Sequence, residues 1–254
     1  MRMVSLQSGS NGNCIYVESG GVRLLFDAGL TGKRTEERLN QIGVSIDSIQ
    51  GVFLSHDHSD HCSGAGVLHR QYGLPVWMTK KTYDFAAKTK RFGIISEPNF
   101  FCAGKTVFFK HLAVETISTT HDAVDGVGFI IDDGNFRLGI LTDLGHIFPA
   151  LPLAISTLDG VLLESNYDPD MLRDGPYSSE LQQRIRGKGG HLSNVEAAKL
   201  LFTAGGKLRW ACLGHISQEN NHPDIVTETH RRMLSSKLPF TIASRHECSE
   251  VMEL

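Results

Sequence analysis

Residues 54–61 read Leu54-Ser55-His56-Asp57-His58-Ser59-Asp60-His61, which places three imidazoles and two carboxylates within six residues. The apolar run of residues 51–54 leads into this turn, and such a run predicts a buried strand. A strand that delivers a His-x-His-x-Asp-His turn to the edge of a sheet is typical of a metal site. His56 and His58 are spaced to converge on one ion, while Asp60 and His61 turn toward a second. The stretch therefore predicts a metal-dependent hydrolase.

Residues that can bind a metal also follow five of the other predicted strands. Beyond the turn at residues 54–61, these residues are Asp27, His121, Asp143, Glu164 and His215. Binding and catalytic sites are often assembled from loops at one edge of a rigid scaffold. We therefore expect these side chains to meet at one edge of the fold.

The hydrophobic pattern predicts an α/β protein with two packed sheets. Strands are predicted at residues 4–7, 14–18, 22–26, 51–54, 76–78, 106–118, 128–131, 136–141, 160–163, 210–213 and 240–243. Helices are predicted at residues 33–42, 64–72, 178–186 and 194–203, after residue 78 and after Pro223. Neither a linker nor a repeat interrupts the pattern. It predicts one domain over residues 1–254, with the sheets face to face and helices outside.

Composition places the chain among globular proteins and leaves its partners open. No apolar run approaches the roughly 18 residues that a membrane span needs, so no membrane association is expected. The five cysteines are scattered, which favours a reducing cytoplasm over a disulfide framework. The net charge of -3 does not indicate a nucleic-acid binder. Two basic groups, at residues 80–91 and 184–188, are either solvated helix faces or the flanks of a polyanion site.

The order of these motifs resembles that of the metallo-β-lactamase fold superfamily. This resemblance implies an αββα sandwich of two mixed β-sheets flanked by helices, with a dinuclear metal site at its edge. Carried over to this sequence, it implies one ion held by three residues, a second ion held by three others, and one bridging carboxylate. The first ion would be held by His56, His58 and His121, and the second by Asp60, His61 and His215. Asp143 would be the bridging carboxylate. Asp27 matches a residue that orients the histidine turn rather than binding metal.

Further motifs resemble the YycJ/WalJ-type exonuclease branch of that superfamily. They include residues 8–13, 27–33, 163–166 and 190–194, and the His215-Ile216-Ser217 loop. The resemblance implies 5′-to-3′ exonuclease activity on DNA. Glu164 and His191 are also similar in placement to the Glu and His pair of tRNase Z-type phosphodiesterases.

These residue types suit phosphodiester hydrolysis. Two ions can share a hydroxide nucleophile and polarise a phosphate oxygen, and the mixed ligands suit zinc, manganese or iron. Asp60 is a candidate to orient the attacking water or accept its proton. His191 is a candidate to protonate the leaving oxygen, with Glu164 fixing its tautomer.

Substrate contacts are predicted in three loops. The loop of residues 9–13 offers amides and backbone N–H groups, and residues 193–196 form a capping box whose helix end favours a phosphate. An aromatic residue between the Glu164 and His191 motifs can stack on a base. The candidate contact residues are Ser10, Asn11, Asn13, Asn166, Tyr177, Ser193 and Asn194.

Two alternatives to a DNA exonuclease remain at this stage. The same site in a narrower pocket would serve a phosphodiesterase for cyclic or other small nucleotides. The second alternative is a metal-stabilised protein that binds DNA without cleaving it. The sequence leaves open whether the substrate is DNA or RNA, which metal binds, and what the oligomeric state is.

Overall fold

The computed structural model describes residues 1–234 and 237–254, and two seven-stranded sheets form its centre. The strands of the first sheet, in spatial order, are β14 (Met252–Glu253), β1 (Arg2–Gln7), β2 (Cys14–Ser19), β3 (Val22–Phe26), β4 (Gly51–Phe53), β5 (Val76–Thr79) and β6 (Asn99–Phe101). Those of the second sheet are β13 (Phe240–Ile242), β12 (Trp210–Gly214), β11 (Gly160–Glu164), β10 (Arg137–Leu141), β9 (Val127–Asp132), β8 (Leu112–Ser118) and β7 (Thr106–Phe109).

Helices cover the outer faces of both sheets. They are α1 (Gly32–Gln41), α2 (Ser59–Cys62), α3 (Ala65–Tyr72), α4 (Lys80–Lys88), α5 (Ala150–Ile155), α6 (Pro169–Asp174), α7 (Ser179–Arg186), α8 (Asn194–Ala204) and α9 (Pro223–Leu234), with a 3-10 turn at Ile46–Ser48. Both sheets are mixed: β3 to β6 run parallel in the first and β10 to β13 in the second, while the other pairs are antiparallel. The predicted α/β class and αββα sandwich are confirmed.

Strand alternation explains why three layers of core form. In β4 and the residue after it, Val52 and Leu54 pack under the helices of the first sheet, while Phe53 faces the other sheet. In β11, Leu162 points between the sheets and Val161 points toward the outer helices. Because successive side chains of a strand point to opposite faces, a continuous apolar strand fills two layers at once.

An aromatic cluster between the sheets lies directly behind the predicted site. The ring of Phe53 lies 5.5 Å from that of Phe26 and 6.2 Å from that of Phe129, measured between centroids. All three side chains are nearly or completely buried. Since Phe26 precedes Asp27 and Phe53 precedes the histidine turn, this packing fixes two strand ends that carry site residues.

The structure corrects one predicted strand and adds elements that the sequence did not predict. The predicted strand at residues 106–118 is the hairpin β7–β8, which turns at Lys110 with a φ of 55°. Positive φ is uncommon in a lysine, and the turn lacks the glycine or asparagine that usually marks a hairpin. The strands β6 and β14 and the short helices α5 and α6 were also not predicted.

Two expectations from composition can be compared with the structure. Cys14, Cys62, Cys102, Cys212 and Cys248 are all free thiols. Within the described residues, no helix has the length and apolar character needed to cross a bilayer. The cytoplasmic location and the single domain over residues 1–254 stay predictions.

Candidate metal centre

The turn at residues 54–61 is held in place by Asp27, which follows β3. The Asp27 carboxylate accepts hydrogen bonds from the Ser55 backbone N–H at 2.7 Å and from the Ser55 hydroxyl at 2.9 Å. It also lies 2.7 Å from Nδ1 of His61. His58 is the N-cap of α2, whose first turn then carries Asp60 and His61. One buried carboxylate thus fixes the backbone and one imidazole of the turn.

Four of the five predicted histidine ligands are oriented by a hydrogen bond to one ring nitrogen, and the fifth, His58, has a carboxylate nearby. His56 Nδ1 lies 2.9 Å from the Ser55 hydroxyl, and His121 Nδ1 lies 2.8 Å from the Gly190 carbonyl. His215 Nδ1 lies 3.2 Å from the Asn166 amide, and His58 Nε2 lies 3.8 Å from the Asp122 carboxylate. Histidines that bind metal usually have their second nitrogen held in this way. The arrangement turns the opposite nitrogen of every ring toward a shared centre.

The inward-facing atoms lie close enough to share ions. His58 Nδ1 and His121 Nε2 are 3.2 Å apart, and His215 Nε2 is 3.5 Å from the Asp60 carboxylate. Asp143 lies between these groups, with Oδ2 at 3.1 Å from His61 Nε2 and Oδ1 at 3.6 Å from both His121 and His215. The sets that could hold an ion, each with donor atoms within 4.8 Å of one another, are His56–His58–His121, Asp60–His61–His215, His56–His61–Asp143 and Asp143–Glu164–His191–His215.

Unpartnered buried atoms support the fit to metal ions. Within the described residues, His56 Nε2, His215 Nε2 and Asp143 Oδ2 are buried and have no hydrogen-bond partner, since the 3.1 Å approach of His61 Nε2 to Asp143 Oδ2 is not aligned as a hydrogen bond. A buried polar atom without a partner costs roughly 1–3 kcal/mol. These atoms point into the shared centre, so metal ions bound there would satisfy all three.

The electrostatic balance favours positive charge at His61 and His215, whereas burial and the neighbouring histidines lower the pKa of His56 and of His58. Burial opposes protonation of His61, but Asp143, Asp27 and Asp60 outweigh burial and hold its pKa well above its usual range. Burial also opposes protonation of His215, but the nearby carboxylates outweigh it, Asp143 having the largest effect, and raise the pKa of His215 to about 10. Burial favours protonation of Asp143, yet His215 and His61 hold its pKa well below the usual range. A site that stabilises protonated imidazoles in this way would also stabilise a divalent cation.

Strained backbone is concentrated at this site. Among the described residues, five other than glycine have positive φ, and three of them are Asp27 at 63°, Asp143 at 52° and His215 at 54°. Such conformations cost of order 1–3 kcal/mol each and persist where the surrounding structure enforces them. Asp27 and His215 each follow a strand directly and Asp143 lies two residues after β10, so the strain turns these side chains toward the centre as the chain leaves the sheet.

Glu164 and His191 form a pair beside the metal ligands. His191 Nδ1 donates to Glu164 Oε1 at 2.6 Å, and Oε2 of Glu164 accepts from the backbone N–H groups of Leu144 and Leu192. Burial would raise the pKa of Glu164, but interaction with His191 outweighs it and lowers that pKa to about 2. Glu164 is fully buried, whereas the His191 side chain is 19% exposed. The ring is therefore anchored on its inner side and open to the cleft.

The cleft above the centre has a volume of about 310 Å³ and includes two of the predicted substrate contacts. Ser10 and Tyr177 line it together with the predicted metal ligands His58, Asp60, His121, Asp143 and His215 and with His191. Asn11 is exposed but lines a separate cleft, and its amide donates to the Arg245 carbonyl at 2.9 Å. The structure thus places Ser10 and Tyr177, but not Asn11, beside the metal centre.

Four predicted substrate contacts are corrected, because their side chains are buried and bonded within the protein. Asn13 contacts the Gly9 carbonyl and His61 Nε2, and Asn166 donates to the carbonyl of His215. Ser193 caps α8 in the predicted capping box, and Asn194 bonds to Ser165 and Asn221. These four residues shape the loops that carry the ligands. They do not present polar groups to the cleft.

Sequence reasoning missed two contributors to the site, Ser55 and Asp122, and included a third, Arg184, only as part of the basic group at residues 184–188. Ser55 links Asp27 to His56, and Asp122 faces His58 Nε2 and lies 3.4 Å from His121 Nε2. Arg184 lines the cleft and binds Asp122 at 2.6 Å. Ser55 and Asp122 each adjoin a predicted ligand in the sequence, and that adjacency was the only signal available for them.

Comparisons with known proteins agree with this geometry. The model of the metallo-beta-lactamase superfamily matches residues 8–161. Exodeoxyribonuclease WalJ of Streptococcus pneumoniae is 37% identical over 229 residues, which cover 88% of this chain and 84% of that protein. Exodeoxyribonuclease YycJ of Bacillus anthracis is 33% identical over 234 residues, which cover 91% of this chain and 88% of that protein. The crystal structure of zinc-bound PqqB from Methylobacterium extorquens aligns with this one over the full length of both chains, with a TM-score of 0.76 at 17% identity.

Proposed function

The chain belongs to the metallo-beta-lactamase superfamily and is a metal-dependent hydrolase, and on that premise we propose that it is a 5′-to-3′ DNA exonuclease. The observation that carries the proposal is the Glu164–His191 pair at the edge of the metal centre. A proton donor is needed where the leaving group is a poorly stabilised sugar oxygen, as in a phosphodiester. The names of the two exodeoxyribonuclease relatives support DNA as the substrate, and the 5′-to-3′ direction rests on the resemblance alone.

The residues proposed to hold two divalent ions come from both sheets. His56, His58 and His121 would hold one ion, Asp60, His61 and His215 the other, and Asp143 would contact both. When bound, such ions lower the pKa of water and neutralise charge on a phosphoryl oxygen. Imidazole and carboxylate donors suit zinc, manganese or iron. Asp60, whose side chain is 21% exposed to the cleft, is proposed to orient the attacking water and accept its proton.

His191 is proposed to protonate the leaving oxygen. The ionised Glu164 accepts from Nδ1, and this bond directs Nε2 away from the protein interior. A positioned acid of this type typically contributes about 10²–10⁴-fold to the rate. Ser10 and Tyr177 are proposed to contact the nucleotide on either side of the scissile bond, since both line the cleft.

The direct test is digestion of DNA labelled at either end. Purified protein would be supplied with manganese or zinc and given single- and double-stranded DNA, RNA of the same sequence, and cyclic nucleotides. The proposal expects DNA to release mononucleotides progressively from the 5′ end, and EDTA to abolish the reaction. Asp143→Ala and His58→Ala should remove activity while the circular dichroism spectrum stays native.

Each of the other outcomes would replace the proposal with a specific alternative. Cleavage of cyclic nucleotides but not of polymers would assign the cleft to a small phosphodiester. Preference for RNA would change the substrate, and release from the 3′ end would reverse the polarity. Full activity in Asp143→Ala with an intact fold would rule out the proposed metal-dependent reaction at this centre.

A further inference from the structure

A second cleft, rich in arginine, lies next to the metal centre. It has a volume of about 500 Å³, and its lining includes Asn11, Thr31, Arg34, Arg38 and Arg245. Arg34 and Arg38 come from α1, whereas Arg245 comes from the segment after β13. Three cations from two distant parts of the sequence thus meet in one cavity.

The positive charge in this cleft is not neutralised by the protein. Within the described residues, Arg34, Arg38 and Arg245 form no salt bridge with any carboxylate. Arg38 is only 4% exposed, and its guanidinium donates to the Gln41 side chain and the His246 carbonyl. The guanidinium of Arg245 donates to the Ile216 carbonyl at 3.0 Å. Buried charge without an opposite charge is costly, so an anion in this cleft would be stabilised.

Unused donors and a helix end add to this preference for an anion. The Nε atoms of Arg38 and Arg245 are buried and have no hydrogen-bond partner among the described residues. The cleft also includes Thr31, the N-cap of the ten-residue helix α1, whose first turn contains no acidic residue. Helix N-termini carry partial positive charge and favour phosphate groups. The helix end and the arginines therefore favour the same kind of ligand.

The arginine cleft and the metal centre are separated by one loop. Ser10 lines the metal cleft and its neighbour Asn11 lines the arginine cleft. On the inner side of this loop, Asn13 N–H donates to the Asp60 carbonyl at 2.7 Å and Gly29 N–H donates to the Asn13 carbonyl at 2.9 Å. A nucleic-acid strand that crosses the loop tip from one cleft would enter the other within a few nucleotides.

We propose that the arginine cleft binds a backbone phosphate of the substrate strand that flanks the phosphodiester being cleaved. This inference rests on the proposed function, because it requires a polymeric substrate. Arginine suits such a site, since its planar donors match a phosphate. The cleft would hold the strand in register, and it would contribute nothing to a substrate that has a single phosphodiester.

The test compares substrates with and without flanking phosphates. Arg34 is exposed, so Arg34→Ala and Arg34→Glu should fold normally. For a ten-residue oligothymidylate we expect KM to rise about 5–10-fold in Arg34→Ala and further in Arg34→Glu. The slope of the logarithm of the binding constant against the logarithm of the salt concentration should become shallower by about 0.7 in Arg34→Ala, which is the value for one phosphate contact on a single strand. Hydrolysis of thymidylyl-thymidine, which has one phosphodiester, should stay within twofold of the wild-type rate.

Lys33→Ala and Lys33→Glu are the matched controls. Lys33 neighbours Arg34 on α1 and is 87% exposed, but it pairs with Glu37 and does not line the cleft. Binding of a fluorescein-labelled ten-residue oligothymidylate in EDTA supplies a readout that does not depend on catalysis. If the Lys33 and Arg34 variants weakened oligonucleotide binding equally, the effect would come from general surface charge, and the inference would be overturned.

The failure of this inference can be told apart from the failure of the proposed function. Unchanged binding and KM in Arg34→Glu, with hydrolysis intact, would rule out the phosphate site but leave the exonuclease assignment standing. Binding that depends on Arg34 in a protein that hydrolyses no phosphodiester would retain the site and reject the function. A wild-type protein that does not bind the oligonucleotide would overturn the inference outright.

Discussion

His191 can be assigned a distinct role at the scale of single residues because its two ring nitrogens have different surroundings. Nδ1 donates to the buried Glu164 carboxylate at 2.6 Å, and the exposed part of the ring lines the cleft. We predict that His191→Ala lowers the rate of DNA hydrolysis by about 10²–10⁴-fold while the protein retains as much metal as the wild type. The measurement pairs single-turnover kinetics with metal analysis of the purified variant.

A substrate with a better leaving group provides the control for this prediction. Bis(p-nitrophenyl) phosphate releases a stable phenolate that needs little protonation, so His191→Ala should impair its hydrolysis far less than that of DNA. Glu164→Gln should follow the same pattern to a smaller degree. Loss of metal from His191→Ala would contradict the role, because Asp143, Glu164, His191 and His215 also form a set that could hold an ion.

At the scale of elements, the buried face of α9 carries a histidine that should make stability depend on pH. His230 is fully buried in this helix, its Nδ1 donates to the Val226 carbonyl, and its ring lies 5.7 Å from that of Phe240. Burial lowers the pKa of His230 to about 4, whereas an unfolded histidine titrates near 6.5. Between these values only the unfolded chain binds the proton, so stability should fall as the pH decreases from about 6.5 toward 4.

His230→Leu removes this titration and should flatten the acid side of the stability profile. We expect the loss of unfolding free energy between pH 7 and pH 5 to be smaller by about 2 kcal/mol in the variant than in the wild type. Urea denaturation in EDTA at each pH measures this difference. His111→Leu makes the same change at an exposed position in the β7–β8 turn, and its profile should match that of the wild type. A wild-type profile in His230→Leu would show that the buried ring titrates normally.

Only some of these elements, and only part of the site, could be predicted from the sequence. Strands that carry continuous apolar runs, such as β4 and β11, were predictable, as was the presence of ligand-type residues at their ends. The β7–β8 turn was not, because Lys110 adopts positive φ without a glycine or asparagine to signal it. Asn13 and Asn166 look like substrate contacts in the sequence, but only the folded structure brings His61 and the His215 carbonyl within reach of their amides. The arginine cleft also depends on distant residues meeting, so no local pattern predicts it.

At the scale of the whole molecule, the proposed metal ligands connect the two sheets. His56, His58, Asp60 and His61 follow a strand of the first sheet, whereas His121, Asp143 and His215 follow strands of the second. Each proposed ion takes ligands from both groups. Binding would therefore stabilise the packing of one sheet against the other as well as serve the chemistry, because an ion that binds only the folded state lowers its free energy.

We predict that removing the metals lowers the melting temperature of the whole protein in one cooperative step. An ion present at 100 times its Kd contributes about 2.7 kcal/mol per site, and each kcal/mol corresponds to about 2–4 °C in a chain of this size. Calorimetry with and without EDTA should therefore show a decrease of about 5–10 °C for each site. The shift should shrink in Asp143→Ala, which removes the carboxylate between the two groups, and it should persist in His111→Leu, far from the ligands. A transition that splits in two on chelation, or a full shift in Asp143→Ala, would mean that the ions do not join the sheets through these residues.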